Sequence, residues 1–446
     1  MLERPAAEPA QEHPRQARRY GIGAFALGGT TLMVLLTGLA SATNYASNLV
    51  FSRLLTPASF GDLTALLALV VVVTVPAGAA QTIGAERVAA LVASGESDRA
   101  RVLIRHGLAH VAAVSLVCAA MVGVAAPLVY ELLDLQALGA ALALVPLLAV
   151  SLFIPVVWGL LQGFDRFVAL GTLMLVAAIS RIAFGAPWAA AGGGAGGALA
   201  GQAVGNAFAV AVTLWLLRDH LIGRGTGAAS SGLRRRPDAR TISASWAFIA
   251  FALLSNLDVL LAKVFLDGPA AGEYAALATI GKVIIFLPSA VAVVMVPNIA
   301  RARLADGSAS GVLRVGGLLV IATTLLAAIP IALFPDAVLT TMFGEQYSGA
   351  AGGVRAMTVA GFGLALLYLL VVYTVAIQDR RWVLVLSLAV VCQVGAITAL
   401  HENPTEIATV QAAVIFLALA ANELLFHPIL RAERWVIGRR DRDGDA

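Results

Sequence analysis

Apolar stretches of about 20 residues follow one another along the chain, separated by short polar segments. A helix needs roughly 20 residues to cross about 30 Å of hydrocarbon at 1.5 Å per residue. Twelve such stretches can be drawn, at about 24–51, 62–83, 107–129, 140–161, 168–188, 194–217, 245–266, 274–297, 314–335, 356–377, 383–400 and 407–430. The pattern predicts an all-α polytopic membrane protein with twelve transmembrane helices. The first apolar stretch runs on to about Phe51, too long for the 7–15-residue core of a cleaved signal peptide, so it reads as a retained helix.

Within that first span the polar positions form a pattern of their own. Thr37, Ser41, Asn44 and Asn48 are spaced by 4, 3 and 4 residues, which places them on one narrow helical face. Asparagine facing lipid would leave its amide unsatisfied, so the stripe is expected to look inward. It either lines a cavity or hydrogen-bonds to a neighbouring helix. In the sixth span Gly193, Gly197, Gly201 and Gly205 recur every four residues, a small-residue stripe that lets two helices approach closely.

Composition agrees with the periodicity. Sixty per cent of the residues are apolar and 13% charged, about half the charged share of a soluble domain. The only two cysteines, Cys118 and Cys392, lie inside apolar stretches and read as packing residues. The placement of charge then sets an orientation. With the N-terminus inside, 25 of the 30 Lys and Arg residues fall on cytoplasmic segments. The opposite connections are short and acidic, with Glu131, Asp134, Asp267, Glu345, Glu402 and Glu406. That asymmetry predicts both termini in the cytoplasm. The excess of Arg over Lys, 28 to 2, with abundant Ala and Gly looks like a GC-rich bacterial genome, so a bacterial cytoplasmic membrane is expected.

The longest polar stretch, Arg218 to Thr241, divides the spans into two sets of six. The expected organisation is a cytoplasmic tail at 1–23, an N-terminal six-helix lobe at 24–217, a basic linker at 218–244, a C-terminal lobe at 245–430 and a tail at 431–446. The basic linker needs no nucleic-acid partner, because anionic lipid headgroups explain it.

The halves also echo each other. Asn48, Arg53, Thr56-Pro57 and Gly61-Asp62 return as Asp258, Lys263, Gly268-Pro269 and Gly272-Glu273. Gln162-Gly-Phe-Asp-Arg166-Phe167 returns as Gln378-Asp-Arg-Arg381-Trp382. Six spans per half make such repeats parallel, related by an axis along the membrane normal. Two parallel six-helix lobes around a central cavity are therefore expected.

Five positive residues remain outside the cytoplasmic count: Arg53, Arg181, Lys263, Lys282 and Arg355. A charge at mid-bilayer costs about 2.5–3.5 kcal/mol on insertion scales, so it tends to face a cavity or a partner. Arg181 and Lys282 stand within spans. Arg53, Lys263 and Arg355 stand near helix ends, where a long basic side chain can snorkel. Asp258 is the deep acid of the seventh span; it either forms a structural ion pair with Lys282 or binds a coupling H⁺ or Na⁺. Glu423 and His427 form a further polar pair near the end of the last span. No phosphate-binding Gly-rich loop, metal-ligand spacing or nucleophile motif stands out, and no cofactor or enzymatic activity is expected.

Four segments resemble the polysaccharide and oligosaccharide flippases (Wzx-type exporters) of the multidrug/oligosaccharidyl-lipid/polysaccharide exporter superfamily. They are Leu49-Val-Phe-Ser-Arg53-Leu-Leu-Thr-Pro57-Ala-Ser-Phe-Gly61, Leu161-Gln-Gly-Phe-Asp-Arg-Phe167, Asn256-Leu-Asp258 and Met342-Phe-Gly-Glu-Gln-Tyr347. The resemblance implies alternating access and movement of a polyprenyl-pyrophosphate-linked oligosaccharide across the membrane. It also implies glycosyltransferases and a polymerase as neighbours in the pathway. A substrate cavity of Asn44, Asn48, Arg53, Arg181, Lys263 and Lys282 matches such an anionic, hydroxyl-rich cargo, with Asp258 as the ion-coupling candidate. Two other readings stay open: a cation-coupled drug antiporter of the same superfamily, and a non-transporting scaffold for polysaccharide assembly.

Overall fold

A computed structural model describes residues 22–221, 239–285, 309–377 and 379–426. The expected N-terminal tail, most of the linker, the end of the eighth span, Gln378, and the C-terminal tail with His427 lie outside them. The described chain is helical throughout, in the order α1 (Ile22–Leu54), α2 (Pro57–Ala93), α3 (Ser97–Leu132), α4 (Leu138–Gly163), α5 (Phe167–Trp188), α6 (Gly194–Leu216) and a single turn, α7 (Arg218–Leu221). Then come α8 (Ala239–Leu254), α9 (Leu257–Phe265), α10 (268–285), α11 (Ala309–Leu333), α12 (Pro335–Phe343), α13 (Ala351–Ala376), α14 (Arg381–Ala399) and α15 (Pro404–Phe426).

Nine segments among the described residues are long and apolar enough to cross a membrane, and the protein is a multi-pass membrane protein. One of them, the 50-residue run Phe167–Leu216, is folded in two. A π-turn at Ala189–Gly193 leads to Gly192 and Gly194 with φ of 97° and 53°, a backbone that reverses the chain and favours glycine. Beyond it α6 packs back along α5 through the glycine stripe. A Cβ on Gly201 would stand 2.2 Å from the Gly185 nitrogen, and one on Gly205 2.6 Å from the Ser180 Cβ. The stripe is therefore the seam of this helix pair.

Two elements depart from the expected boundaries. The segment between the second and third spans is not a long loop: α2 and α3 run on to a tight turn at Ser94-Gly95-Glu96, where Gly95 has φ of 75°. A helix satisfies its own backbone in water or lipid, and a first-turn pair between Arg101 and Asp98 at 3.0 Å adds local support. The seventh span is divided instead of continuous, because α8 stops at Leu254 and α9 starts at Leu257. Ser255 and Asn256 are poor helix formers whose side chains compete for backbone groups. Both turn back on the preceding helix: Ser255 Oγ donates to the Phe251 carbonyl at 2.9 Å and Asn256 Nδ2 to that of Ala252 at 2.9 Å.

The helices gather in two lobes. In the first, α5 packs on α1 and α6, while α4 packs on α2, α3 and α6; in the second, α13 packs on α11 and α15, and α14 on α8 and α15. The turn Phe164-Asp-Arg166 anchors the end of the first lobe. Arg166 donates to the Leu216 carbonyl at 2.8 Å, at the C-terminus of α6, and Phe164 stacks on His220 at 4.2 Å. Burial and then the Arg166 guanidinium hold the His220 imidazole below its usual pKa, so a neutral ring nitrogen faces Arg166.

Gly201→Ala is expected to lower the thermal stability of the purified protein by about 1–3 kcal/mol or more, because the methyl meets backbone and not a movable side chain. Gly78→Ala, with nothing within 4 Å, serves as the control and is expected to be neutral or slightly stabilising. Equal melting temperatures for the two variants would rule out the seam.

Candidate functional site

The two lobes meet where the repeated passages lie. Gly61, near the start of α2, faces Gly272, near the start of α10: a Cβ on Gly61 would come within 3.0 Å of the Gly272 nitrogen, and one on Gly272 within 1.9 Å of the Pro57 carbonyl oxygen. Ala58 and Gly268 also touch across this crossing, at 3.1 Å between Cβ positions. Equivalent residues of the two repeats thus contact one another, as they must beside a two-fold axis.

This contact is fastened by charge. Lys263 of α9 reaches Asp62 of α2 at 2.8 Å, with both side chains only 1% exposed. Lys263 Nζ also donates to the Asp134 carbonyl at 3.0 Å, and Asp62 Oδ2 accepts the Gln136 backbone N–H at 2.8 Å. Lys263 is therefore drawn inward and does not snorkel. Its counterpart Arg53 is exposed and donates to the Thr341 carbonyl, beyond the opposite lobe's α11. Gln346 Nε2 and Tyr347 Oη donate to the Ser52 carbonyl at 2.8 and 3.1 Å. Each lobe's connection thereby grips the end of the other lobe's first span. At mid-span, Tyr45 donates to the Thr279 carbonyl.

The second place is inside the first lobe. A cavity of about 270 Å³ is bounded by α1, α2, α4, α5 and α6, with Ser41, Asn44, Ser151, Arg181, Gln202 and Asn206 among its lining residues. The glycine seam explains the assembly. Drawing α6 onto α5 brings Gln202 and Asn206, one helical turn apart, beside Arg181. The polar stripe of α1 closes another wall. Arg181 is 7% exposed, donates to Asn48 Oδ1 at 2.9 Å and lies with its guanidinium carbon 5.7 Å from the centre of the Phe51 ring. No carboxylate pairs with it among the described residues. Its Nε, the Trp158 Nε1 and the Gln202 Oε1 are buried without hydrogen-bond partners.

The third place is the break in the seventh span. Ending α8 frees the Leu254 carbonyl, which accepts from Gln393 of α14 at 3.1 Å and Gln411 of α15 at 2.7 Å. This is how irregular backbone is accommodated at membrane depth. Asp258, 4% exposed, accepts from Tyr274 at 2.7 Å through Oδ2, while its Oδ1 has no hydrogen-bond partner. Lys282 donates to Asn256 Oδ1 at 2.9 Å. Asp258 and Lys282 are close enough for their charges to interact, yet they form no direct ion pair.

The candidate residues thus divide among three places. Asn44, Asn48 and Arg181 share the first-lobe cavity. Asp258 and Lys282 share the helix break of the second lobe. Arg53 and Lys263 sit at the contact between lobes. Sequence reading missed Trp158, Gln202, Asn206, Tyr274, Gln393 and Gln411, which carry no charge to mark them within apolar helices. It recorded Asp62 only as part of a repeat. Far along α2, roughly 44 Å from Pro57 at 1.5 Å per residue, the lobes border a cavity of about 390 Å³. Glu86 of α2 faces Ala247, Thr374, Asp379 and Trp382 across it.

The fold, as distinct from these sites, is shared with solved structures of transporters. No family model and no curated relative matches the sequence. The chain is similar in structure to the inward closed conformation of the lipid II flippase MurJ, with a TM-score of 0.68, 10% identity and 90% of each chain covered. It is similar to the inward-facing conformation of a multidrug resistance MATE family transporter of the MOP superfamily, with a TM-score of 0.62, 12% identity, and 91% of this chain and 99% of that one covered. A third is a MOP superfamily transporter from Pyrococcus furiosus described by a reverse polarity of its binding pocket that suggests a different function (TM-score 0.57, 14% identity, 92% and 95% covered). At such identities the likeness establishes the fold.

Lys263→Ala and Asp62→Ala are each expected to cost about 3–5 kcal/mol, since either leaves a buried charge alone. The double variant is expected to lose clearly less than the sum of the two, as a thermal-unfolding cycle would read. Additive losses would mean that the two side chains do not act as a pair.

Proposed function

We propose that this protein is a flippase that carries a lipid-linked oligosaccharide across the cytoplasmic membrane by alternating access. The observation that carries the reading is Arg181: a buried guanidinium without a carboxylate partner, in a cavity lined by amide and hydroxyl side chains. An uncompensated buried cation favours an anionic ligand, and the surrounding groups match sugar hydroxyls. A cationic drug would be repelled there, which weighs against the drug antiporter. The shared fold with MurJ and the MATE transporters supports a carrier over a scaffold. The Wzx-type resemblance supports an oligosaccharide cargo on a polyprenyl-pyrophosphate carrier, with glycosyltransferases and a polymerase as pathway neighbours.

On the topology read from the charges, the joined end with Gly61 and Gly272 faces outward, and the 390 Å³ cavity faces the cytoplasm. Transport then requires the α2–α10 crossing and the Asp62–Lys263 pair to part. Asp258, with a free carboxylate oxygen in the second lobe, is the group we assign to ion coupling. Asp258→Asn is then expected to abolish the H⁺ or Na⁺ dependence of transport.

The test is a deletion strain complemented with variants and scored for surface polysaccharide. Ala58→Cys with Gly268→Cys, whose Cβ positions lie 3.1 Å apart and need to separate by a few tenths of an ångström to reach the roughly 3.5–4.5 Å of a disulfide, should lock the joined end. Oxidation is expected to stop export and reductant to restore it, in a background lacking Cys118 and Cys392. A deletion that changes drug sensitivity and leaves surface polysaccharide intact would establish the antiporter instead. Insensitivity to the lock would establish a role without alternating access.

A further inference from the structure

We propose that the first-lobe cavity around Arg181 is an oxyanion subsite, built within one lobe and independent of the contact between lobes. It takes a single carboxylate or phosphate group of the cargo together with its neighbouring hydroxyls. The inference rests on the flippase reading for the origin of the ligand, and on the cavity alone for its chemistry.

The donors and acceptors are already sorted by the fold. Two buried N–H donors, Arg181 Nε and Trp158 Nε1, come from α5 and α4 and lack partners; the buried acceptor Gln202 Oε1, from α6, lacks one as well. Buried polar groups are nearly always hydrogen-bonded, so three unsatisfied atoms among the residues lining one cavity indicate a ligand that completes them. The sign of that ligand follows from the walls. Every polar lining residue other than Arg181 is neutral, and none is a carboxylate. One further Arg181 nitrogen is held by Asn48, which fixes the guanidinium's direction without cancelling its charge. A guanidinium whose Nε–H is unpartnered matches an oxygen of a carboxylate or phosphate.

Size narrows the group further. About 270 Å³, open on one side, accommodates one sugar residue or one phosphate group of a longer cargo whose remainder extends beyond it. Asn44 and Ser41 on α1, with Asn206 and Ser151, supply hydroxyl-matching contacts around it. Two sources carry this chemistry: an acidic sugar of the glycan, or the diphosphate that joins it to its lipid.

Equilibrium binding to the purified full-length protein, in chloride-free buffer, separates the cases with glucuronate, glucose, inorganic phosphate and pyrophosphate as probes. At least one oxyanion is expected to bind, with glucose ~10-fold weaker or worse. Preference for glucuronate assigns the acidic sugar, and preference for phosphate or pyrophosphate assigns the lipid linkage. Arg181→Gln is expected to weaken binding ~10-fold or more, and Trp158→Phe, which keeps the ring and removes the N–H, several-fold. Arg355→Gln, an exposed cation bonded to the Ala332 carbonyl outside the cavity, should bind as the wild type does. Melting temperature confirms that each variant is folded. Absence of oxyanion binding, binding unaffected by both Arg181→Gln and Trp158→Phe, equal binding of glucose, or displacement by chloride at equal concentration would each overturn the subsite. Loss of binding in Arg181→Gln with surface polysaccharide unchanged would leave the subsite standing and remove the flippase reading.

Discussion

A buried charge in a membrane protein must be matched or it destabilises the helix that carries it, and this constraint organises the molecule. Lys263 and Asp62 meet it by pairing with each other across the two lobes, each also held by a backbone group of the 134–136 connection. The pair can form only because Gly61 and Gly272 have no Cβ, which lets α2 and α10 cross at backbone distance. Packing and electrostatics are therefore one device here. Adding a methyl at the crossing or removing either charge would act on the same contact.

The same constraint gives meaning to the groups left unmatched. Ser, Thr and Gln side chains across the protein mostly return to nearby carbonyls; Gln393 and Gln411, for example, satisfy the Leu254 carbonyl freed by the break between α8 and α9. Against that background, Arg181 Nε, Trp158 Nε1, Gln202 Oε1 and Asp258 Oδ1 are exceptions. The first three belong to one cavity of the first lobe, and the fourth to the helix break of the second. Other buried atoms among the described residues are unpartnered too, Trp382 Nε1, Gln393 Oε1 and Asn422 Nδ2 among them, but they are scattered; what sets Arg181, Trp158 and Gln202 apart is that all three line one cavity.

Much of this frame could be read from the chain. The spacing of apolar runs gave the helices, and the echo of Gly61-Asp62 in Gly272-Glu273 marked the residues that meet between the lobes. Gly193, Gly197, Gly201 and Gly205 marked the α5–α6 seam. Pairing was harder to read, because the partners of Lys263 lie near residues 62 and 134, far apart in sequence, and only the folded lobes bring them together. The break in the seventh span hid for a different reason. Ser255-Asn256 is a weak local signal inside a strongly apolar stretch, and hydropathy registers length without continuity. Gln202 and Asn206 were invisible as site residues because neutral amides do not stand out until the seam turns them toward Arg181.

The two lobes keep a common frame but not a common sign. Asn48 in the first occupies the place of Asp258 in the second, and the position equivalent to Lys282 is Val71, an apolar residue of α2. Arg181 in turn corresponds to Ala396, an apolar, half-buried residue. A strictly symmetric carrier would offer the same ligand two equal sites. Here one lobe presents a cation without a carboxylate partner, Arg181, and the other an acid and a lysine together, Asp258 and Lys282. On the flippase reading, an anionic cargo and a coupling cation would be held in different lobes. The lobes are joined at Gly61, Gly272, Asp62 and Lys263, and also by the bonds of Tyr45 to Thr279 and of Gln346 and Tyr347 to Ser52. On the same reading, coupling is the dependence of these contacts on the occupancy of the two sites.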